Sequence, residues 1–143
     1  MWNVLVVDDS ATSLALLERI VVHLGHRPLL ADCGARALAV CAIERPDIML
    51  LDVVMPDIDG WELAVRLREN DSLRSVPIVF QSSIERQEEI DRCIACGADA
   101  ILHKPLRIAR VKAVLESLLG VPAVPAPMRH NAGFHWPAAR YAN

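Results

Sequence analysis

The sequence lacks the long apolar segments and the N-terminal signals that direct a chain to a membrane. No apolar run approaches the roughly 18 residues that a membrane span requires. The first residues carry no basic segment of the kind that opens a secretory signal peptide. We therefore expect a cytoplasmic protein that makes no membrane contact.

Positive charge is also scarce. The chain has 15 basic against 18 acidic residues, and only Lys104 and Lys112 are lysines. All the acidic residues lie in residues 1–120, and an acidic domain without a basic stripe binds phosphate backbones poorly. The glycine motifs G-x-G-x-x-G and G-x-x-x-x-G-K-[ST] are absent. Direct nucleic-acid binding and nucleotide binding are therefore not expected.

The four cysteines do not form a recognisable metal or redox motif. Cys93 and Cys96 match C-x-x-C, but they precede Gly97 and so fall at the predicted end of a helix, where the dipole opposes a thiolate. A zinc site needs two more ligands at short spacing, which Cys33 and Cys41 do not supply. We expect all four to be reduced, small core residues.

Apolar patterning is what the chain has in abundance. Its 143 residues are 53% hydrophobic with a mean hydropathy of +0.28, which predicts one domain with a real core. Five short apolar runs predict strands, and each is followed by a segment with helical spacing. The strands fall at 3–7, 28–31, 48–51, 76–80 and 100–103, and the helices between Ser10 and Gly25 and at 35–45, 61–70, 84–96 and 106–119.

This alternation predicts an α/β fold. Five strand–helix repeats form a (βα)5 doubly wound parallel sheet with helices on both faces. Right-handed crossovers leave few topologies, and the flavodoxin-like strand order 2-1-3-4-5 is the natural one for five strands. We assign residues 1–120 to this single domain.

Residues 121–143 differ in kind. The segment 121–127 is rich in proline and alanine and suits a stiff spacer, either a tail or a linker to a removed domain. Phe134, Trp136 and Tyr141 are three of the six aromatic residues in the chain, whereas disordered tails are usually poor in them. We therefore hypothesise that Phe134 and Trp136 dock on this domain or on a partner copy.

Polar residues follow four of the five predicted strands. They are Asp8 and Asp9, Asp52, Ser82 and Lys104. Because the carboxyl ends of parallel strands share one edge, three carboxylates converge there, and like charges at such range require a cation. Mg²⁺ with oxygen ligands fits. A metal, an ammonium and a hydroxyl around one carboxylate form a site for a transferred phosphoryl group, with Asp52 as the nucleophile.

The motifs, taken in order, resemble the receiver domain of two-component response regulators over about residues 3–119. Four segments carry the resemblance: Val6-Val7-Asp8-Asp9-Ser10, Leu50-Leu51-Asp52-Val53-Val54-Met55-Pro56-Asp57-Ile58-Asp59-Gly60, Pro77-Ile78-Val79-Phe80-Gln81-Ser82 and Lys104-Pro105. The resemblance implies a phosphorylation-dependent signalling switch that changes its protein contacts.

The resemblance also implies residue roles. Asp52 accepts a phosphoryl group from a phosphohistidine on a sensor histidine kinase or a histidine phosphotransfer protein. Asp9 and Asp52 bind Mg²⁺ directly together with the Val54 backbone carbonyl, and Asp8 acts through water. Ser82 shifts toward the phosphate, and Lys104 pairs with a phosphoryl oxygen.

Further expectations follow from the same resemblance. Pro105 follows Lys104 in a cis peptide. The chain is not an enzyme on other substrates, since it catalyses only its own phosphorylation and dephosphorylation. An output domain, an effector protein and a homodimer all stay open as downstream partners.

One position departs from the family. A tyrosine or phenylalanine that swings inward commonly lies three residues before the lysine, where this chain has Ile101. Isoleucine is stiff and cannot reproduce that swing. Leu106 likewise replaces a frequent aromatic. Switching through the fifth strand is therefore in question.

Two other functions stay open on the sequence alone. A haloacid-dehalogenase-like phosphatase also forms an aspartyl phosphate, but its second aspartate would fall at Val54, which cannot act as an acid. A receiver-like module could instead bind partners without phosphate. The presence of all five polar strand-end residues argues against it.

Overall fold

The computed structural model describes residues 1–83, 85–120 and 134–135, in which strands and helices alternate along residues 3–119. The elements are β1 Asn3–Val7, α1 Ala11–His23, β2 Arg27–Ala31, α2 Gly34–Ile43, β3 Ile48–Asp52, α3 Gly60–Glu69, β4 Ile78–Ser82, α4 Gln87–Ala95, β5 Ala100–His103, α5 Ile108–Leu119 and β6 Phe134–His135.

The first five strands form one parallel sheet in the order β2-β1-β3-β4-β5, which confirms the predicted topology. The central strand β3 ends at Asp52, and all five of its residues are buried. Such burial is expected of a strand covered by helices on both faces. The strand order reverses between β1 and β3, so a crevice opens there at the carboxyl ends of the strands.

Two apolar clusters hold the helices against the sheet. One includes residues of α2, α3 and α4 packed on one face, and the other includes residues of α1 and α5 on the opposite face. The largest members of the first are Leu5, Met49, Leu51, Leu63, Leu67, Ile78, Phe80 and Ile101. Those of the second include Val6, Leu17, Val21, Ile48, Leu50, Val79, Leu102, Val111 and Leu115.

The loop between β3 and α3 is fixed by two aspartates. Asp59 is the N-cap of α3, and its carboxylate accepts a hydrogen bond from the Glu62 amide at 2.8 Å. Asp57 reaches across to α2 and accepts from the amides of Gly34 at 3.2 Å and Ala35 at 3.0 Å. These amide donors lower the pKa of Asp57. The loop that follows Asp52 is therefore tied to two helices.

Strand β4 lies two residues later than predicted. It spans Ile78–Ser82, because Val76 belongs to a turn in which its amide donates to the Leu73 carbonyl. The polar Gln81 and Ser82 had marked the end of the strand in the sequence, yet both pair with β5. Hydrogen bonding in the middle of the sheet thus overrides their low strand propensity.

Helix α4 is shorter than predicted. It begins at Gln87 with Arg86 as N-cap, so Glu85 lies before the helix rather than in its first turn. Arg86 makes no side-chain cap hydrogen bond, which explains why the sequence carries no sharp start signal there. The predicted first residue of the helix, residue 84, lies outside the described residues.

A sixth strand was not predicted. Phe134–His135 pairs antiparallel with β5, with Ile101 opposite His135 and Leu102 opposite Phe134. Two residues carry too little periodicity to predict a strand. The backbone of residues 134–135 thus pairs with the sheet, while the hypothesised side-chain docking of Phe134 stays a prediction and that of Trp136 lies outside the described residues.

Candidate functional site

The sheet brings the predicted polar residues to one edge. Asp52 and Ser82 are the last residues of β3 and β4, Asp8 and Asp9 directly follow β1, and Lys104 directly follows β5. The apolar runs before them are buried in the sheet, so these polar residues lie at the carboxyl ends of the strands.

Three carboxylates converge at this edge. One oxygen from each of Asp8, Asp9 and Asp52 can be chosen so that all lie within 4.8 Å of one another. Asp8 is fully buried and Asp52 is 7% exposed, whereas Asp9 faces solvent. Asp8 Oδ1 accepts a hydrogen bond from the Ser10 amide at 2.9 Å, which orients it at the start of α1. Like charges buried at this range require a compensating cation.

Lys104 supplies a positive charge to the same cluster. Its Nζ lies 3.2 Å from Asp8 Oδ2 and 3.6 Å from Asp52 Oδ1. The Lys104–Pro105 peptide bond is cis, as the resemblance implied. A compact ammonium beside two buried carboxylates is also placed to pair with an anion that binds at Asp52.

The environment makes Asp52 unusually basic. Burial, followed by the nearby Asp8 carboxylate, raises the pKa of Asp52 to about 6, although Lys104 acts in the opposite direction. The Asp52 carboxylate therefore binds protons more readily than an exposed aspartate does. The same electrostatics favour the binding of cations.

Ser82 lies close to Lys104 through the backbone. Ser82 is buried, and its backbone carbonyl accepts a hydrogen bond from the Lys104 amide at 2.9 Å. The end of β4 and the start of the loop after β5 are thus joined. Because of this hydrogen bond, a displacement of the Ser82 backbone would also move the Lys104 backbone.

The backbone beneath Asp52 is tightly packed. A Cβ on Gly60 would overlap the Asp52 carbonyl oxygen and the Val53 backbone, so the start of α3 needs glycine at this point. The Gly60 amide donates to the Val53 carbonyl at 2.7 Å. Val54 follows in the loop with a 71% exposed side chain, and the role of its carbonyl stays a prediction.

This donor set fits Mg²⁺. The cluster consists of oxygen ligands only, two of them on buried carboxylates that need a countercharge, and Mg²⁺ is usually held by one or two carboxylates plus waters and phosphate. Asp9 and Asp52 with the Val54 carbonyl would ligate the ion directly, and Asp8 would do so through water.

At two positions where the family commonly has an aromatic residue, this chain has the aliphatic residues Ile101 and Leu106. Ile101 is 1% exposed and belongs to the apolar cluster that includes Phe80. Leu106 is half-buried against the opposite cluster. Both side chains pack against the apolar clusters, and the expectation that isoleucine at position 101 cannot reproduce the aromatic swing stays a prediction.

One polar residue near the site was missed by the sequence analysis. Gln81 is fully buried in β4, opposite Asp52 in register. Its Nε2 donates to the Val7 carbonyl at 3.3 Å, and its Oε1 has no hydrogen-bond partner among the described residues. The sequence signal that could have identified this residue was a glutamine directly after the apolar run of the fourth strand.

The C-x-x-C pair lies in the core between α3 and α4. Cys93 is 1% exposed and accepts a hydrogen bond from Trp61 Nε1 at 3.1 Å, while Cys96 is the C-cap of α4. Burial raises the pKa of both thiols. All four cysteines are free, but only Cys93 is buried, so the expectation of core residues is confirmed for Cys93 and not for Cys33, Cys41 and Cys96, which are partly exposed.

The strand order 2-1-3-4-5, with three carboxylates and an ammonium at one edge, defines the CheY-like class of α/β proteins. The family model of the response regulator receiver domain matches residues 4–116. The chain therefore belongs to the response regulator receiver domain family.

Curated relatives include both single-domain and large proteins. The two-component response regulator ORR3 of Oryza sativa subsp. indica is 32% identical over 118 residues, which are 82% of this chain and 90% of that protein. The virulence sensor protein BvgS of Bordetella pertussis is 36% identical over 130 residues, which are 87% of this chain but only 10% of that protein. A similar domain thus occurs alone or as a small part of a sensor.

Solved structures show the same fold. The chemotaxis protein CheY4 of Vibrio cholerae is 28% identical with a TM-score of 0.80, and the match covers 83% of this chain and 99% of that one. The receiver domain of the sensor histidine kinase PA1611 of Pseudomonas aeruginosa PAO1, solved with magnesium in its active-site cleft, is 26% identical with a TM-score of 0.78 over 83% and 98% of the two chains. In the part of this chain that is described, no helix has the length and hydropathy of a membrane span.

Proposed function

We propose that this receiver domain is a phosphorylation-dependent switch with Asp52 as the phosphoryl acceptor. One observation carries the proposal: Asp8, Asp9 and Asp52 converge within 4.8 Å while the Lys104 ammonium lies 3.6 Å from Asp52. A nucleophilic carboxylate flanked by metal ligands and a cation is the arrangement that phosphoryl transfer needs, since charge spreads over three phosphoryl oxygens.

The residues divide the chemistry between them. An Asp52 oxygen forms a bond to phosphorus as the bond from phosphorus to the donor histidine nitrogen breaks. Lys104 pairs with a phosphoryl oxygen, and the Ser82 hydroxyl donates to another. Asp9, Asp52 and the Val54 carbonyl would hold Mg²⁺, which would supply neutralisation of the charge on the phosphoryl oxygens. Burial of Asp8 and Asp52 keeps competing water away from much of this cluster.

Phosphorylation of Asp52 changes the conformation of the loops at the carboxyl edge of the sheet. Phosphorylation adds negative charge beside Ser82, whose carbonyl is hydrogen-bonded to the Lys104 amide. Ser82 moves toward the phosphate, and the loops after β3, β4 and β5 respond. Since Ile101 is fixed in the core, the response passes through these loops and α4 rather than through a swinging side chain on β5.

The partners are those that membership of the receiver domain family implies. The donor is a sensor histidine kinase or a histidine phosphotransfer protein in the cytoplasm, and the output is a protein contact with an effector, an attached output domain or a second copy. The domain catalyses only its own phosphorylation and dephosphorylation. It makes no direct contact with nucleic acid or membrane.

Intact mass spectrometry tests the proposal. The chain is incubated with acetyl phosphate, with Mg²⁺ or with a chelator, alongside Asp52→Asn and the control Asp91→Asn on the exposed face of α4. We expect one added phosphoryl group that requires Mg²⁺, is lost in Asp52→Asn and persists in Asp91→Asn. A folded protein that stays unmodified by acetyl phosphate and by phosphohistidine donors would instead favour a phosphate-independent binding module.

A further inference from the structure

Gln81 lies in the same layer of the sheet as two charged residues of the site. On one face of the sheet, four apolar residues of the second cluster line up across adjacent strands in register: Val6, Leu50, Val79 and Ala100. Side chains two residues apart on a strand share a face. The next layer toward the carboxyl edge therefore consists of Asp8, Asp52, Gln81 and Leu102, and Lys104 comes two residues after Leu102.

The orientation of the Gln81 carboxamide is fixed by the backbone. Its nitrogen lies 3.3 Å from the Val7 carbonyl, which accepts hydrogen bonds and cannot donate them, so the oxygen must point away from Val7. That oxygen is buried and has no partner among the described residues. A buried acceptor without a partner costs stability, and such groups occur where function needs them.

Lys104 has N–H donors beyond the one that Asp8 accepts. Its ammonium carries three donors, of which one is hydrogen-bonded to Asp8 Oδ2, while Asp52 Oδ1 lies at 3.6 Å in an ion pair. Gln81 is opposite Leu102, two residues before Lys104, on the adjacent strand. Its oxygen is thus a neutral acceptor on the strand next to that of Lys104.

A cation at the acidic site must compete with this ammonium. Asp8 and Asp52 contact Lys104 at 3.2 and 3.6 Å, and they are two of the three carboxylates that would receive Mg²⁺. The side chain of Lys104 is only 27% exposed, so an ammonium that loses its carboxylate partners is largely shielded from water. A nearby neutral acceptor lowers the cost of that exchange.

We propose that Gln81 is a positioning residue of the site, and that its Oε1 takes up the Lys104 ammonium when a divalent cation binds Asp8 and Asp52. The inference rests on the proposed function only in that a cation occupies the acidic site. Gln81 keeps Lys104 beside Asp52 in the cation-loaded state, rather than allowing its ammonium to turn toward solvent.

Mg²⁺ titration of the metal-free protein tests this role without requiring phosphorylation. Lys104 and Lys112 are the only lysines, so NMR of the lysine side chains gives two signals, with Lys112 on the exposed face of α5 as internal reference. Gln81→Met keeps the side-chain length and removes both polar groups. Gln81→Leu is the second variant, and Leu102→Met, on the same face, is the matched control.

The expected results separate positioning from a structural role. In Gln81→Met the apparent Kd for Mg²⁺ rises about threefold or more, while Leu102→Met stays near wild type. With Mg²⁺ bound, the Lys104 ammonium signal persists in the wild type and broadens in Gln81→Met, because its protons exchange faster with water. In a Lys104→Met background the same Gln81 substitution leaves the Kd unchanged, since the ammonium it serves is gone.

Two outcomes would overturn the inference. One is an unchanged Mg²⁺ affinity in Gln81→Met and Gln81→Leu when both are folded, as judged by urea unfolding. The other is a weakened affinity that persists in the Lys104→Met background. If the wild type binds Mg²⁺ with the expected Gln81 dependence but never accepts a phosphoryl group, the proposed function fails and this inference stands.

Discussion

The Lys104 ammonium lies 3.2 Å from Oδ2 of Asp8, a carboxylate with no solvent exposure. Without a metal ion, this ion pair is the main compensation for the buried negative charge at the edge of the sheet, and Lys104 also contacts Asp52 at 3.6 Å. The same ammonium therefore stabilises the site in the absence of a metal ion and is available to a phosphoryl group. Stability and function are coupled at this residue.

Removing the ammonium should destabilise the metal-free protein. Lys104→Met leaves Asp8 buried without its partner, and we expect the free energy of unfolding to fall by roughly 1–3 kcal/mol at neutral pH. Mg²⁺ should restore part of this loss by replacing the positive charge. Urea unfolding with Mg²⁺ or chelator measures both effects, with the exposed Lys112→Met as control. Equal stability of Lys104→Met and wild type in chelator would show that the ion pair contributes little.

Asp52 should make stability depend on pH in a defined direction. Burial, then Asp8, raises its pKa from 3.8 to about 6 in the folded state, so the folded protein binds more protons than the unfolded chain between these values. Its contribution to stability is therefore present at low pH and is lost as the pH rises through about 6. Asp52→Asn should be more stable than wild type by about 2 kcal/mol at neutral pH without metal. The difference should shrink toward pH 4 in urea titrations, and a constant difference across this range would contradict the assignment.

Gly60 should tolerate no side chain, because a Cβ there overlaps the Asp52 carbonyl oxygen and the Val53 backbone. Gly60→Ala should lower the free energy of unfolding by about 2 kcal/mol and slow phosphorylation of Asp52 by shifting the acceptor. Glu69→Ala, at the exposed end of the same helix, is the control. The prediction is checked by urea unfolding and by the rate of acetyl phosphate modification. Wild-type values for both in Gly60→Ala would refute it.

A buried ion pair at the opposite edge of the sheet should affect stability alone. Asp99 accepts hydrogen bonds from the Ile78 amide at 2.8 Å and from Arg68 Nη2 at 3.1 Å. Asp99→Ala leaves both donors without this acceptor, and we expect a loss of about 3 kcal/mol. Because Asp99 precedes β5 while the site follows it, the variant should still accept one phosphoryl group under conditions where it is folded. Loss of phosphorylation in the folded variant would show that the two edges are coupled.

Much of the site could be predicted because parallel strands bring their carboxyl ends together. Each apolar run ends where a polar residue follows it, so Asp52 and Lys104 could be placed at one edge from the sequence alone. The alternation also predicted the strand order. Strong periodicity and strong end signals were sufficient for these features.

Other features depend on contacts that a sequence does not carry. The extension of β4 through Gln81 and Ser82 depends on pairing with β3 and β5, which overrides the polarity of those residues. The membership of Gln81 in the layer of Asp52, with Lys104 two residues beyond its partner Leu102, depends on register between strands. The pairing of Phe134–His135 with β5 is a long-range backbone contact with no local pattern behind it.

The central claim is that Asp52, and no other carboxylate of the cluster, carries the phosphoryl group. The most direct measurement treats the phosphorylated protein with borohydride, which reduces an aspartyl phosphate to homoserine, and sequences the proteolytic fragments by mass spectrometry. We predict a single homoserine at position 52, formed only when acetyl phosphate and Mg²⁺ were both present. Homoserine at position 8 or 9, or unmodified aspartate at all three positions in a protein that had gained a phosphoryl group, would contradict the account.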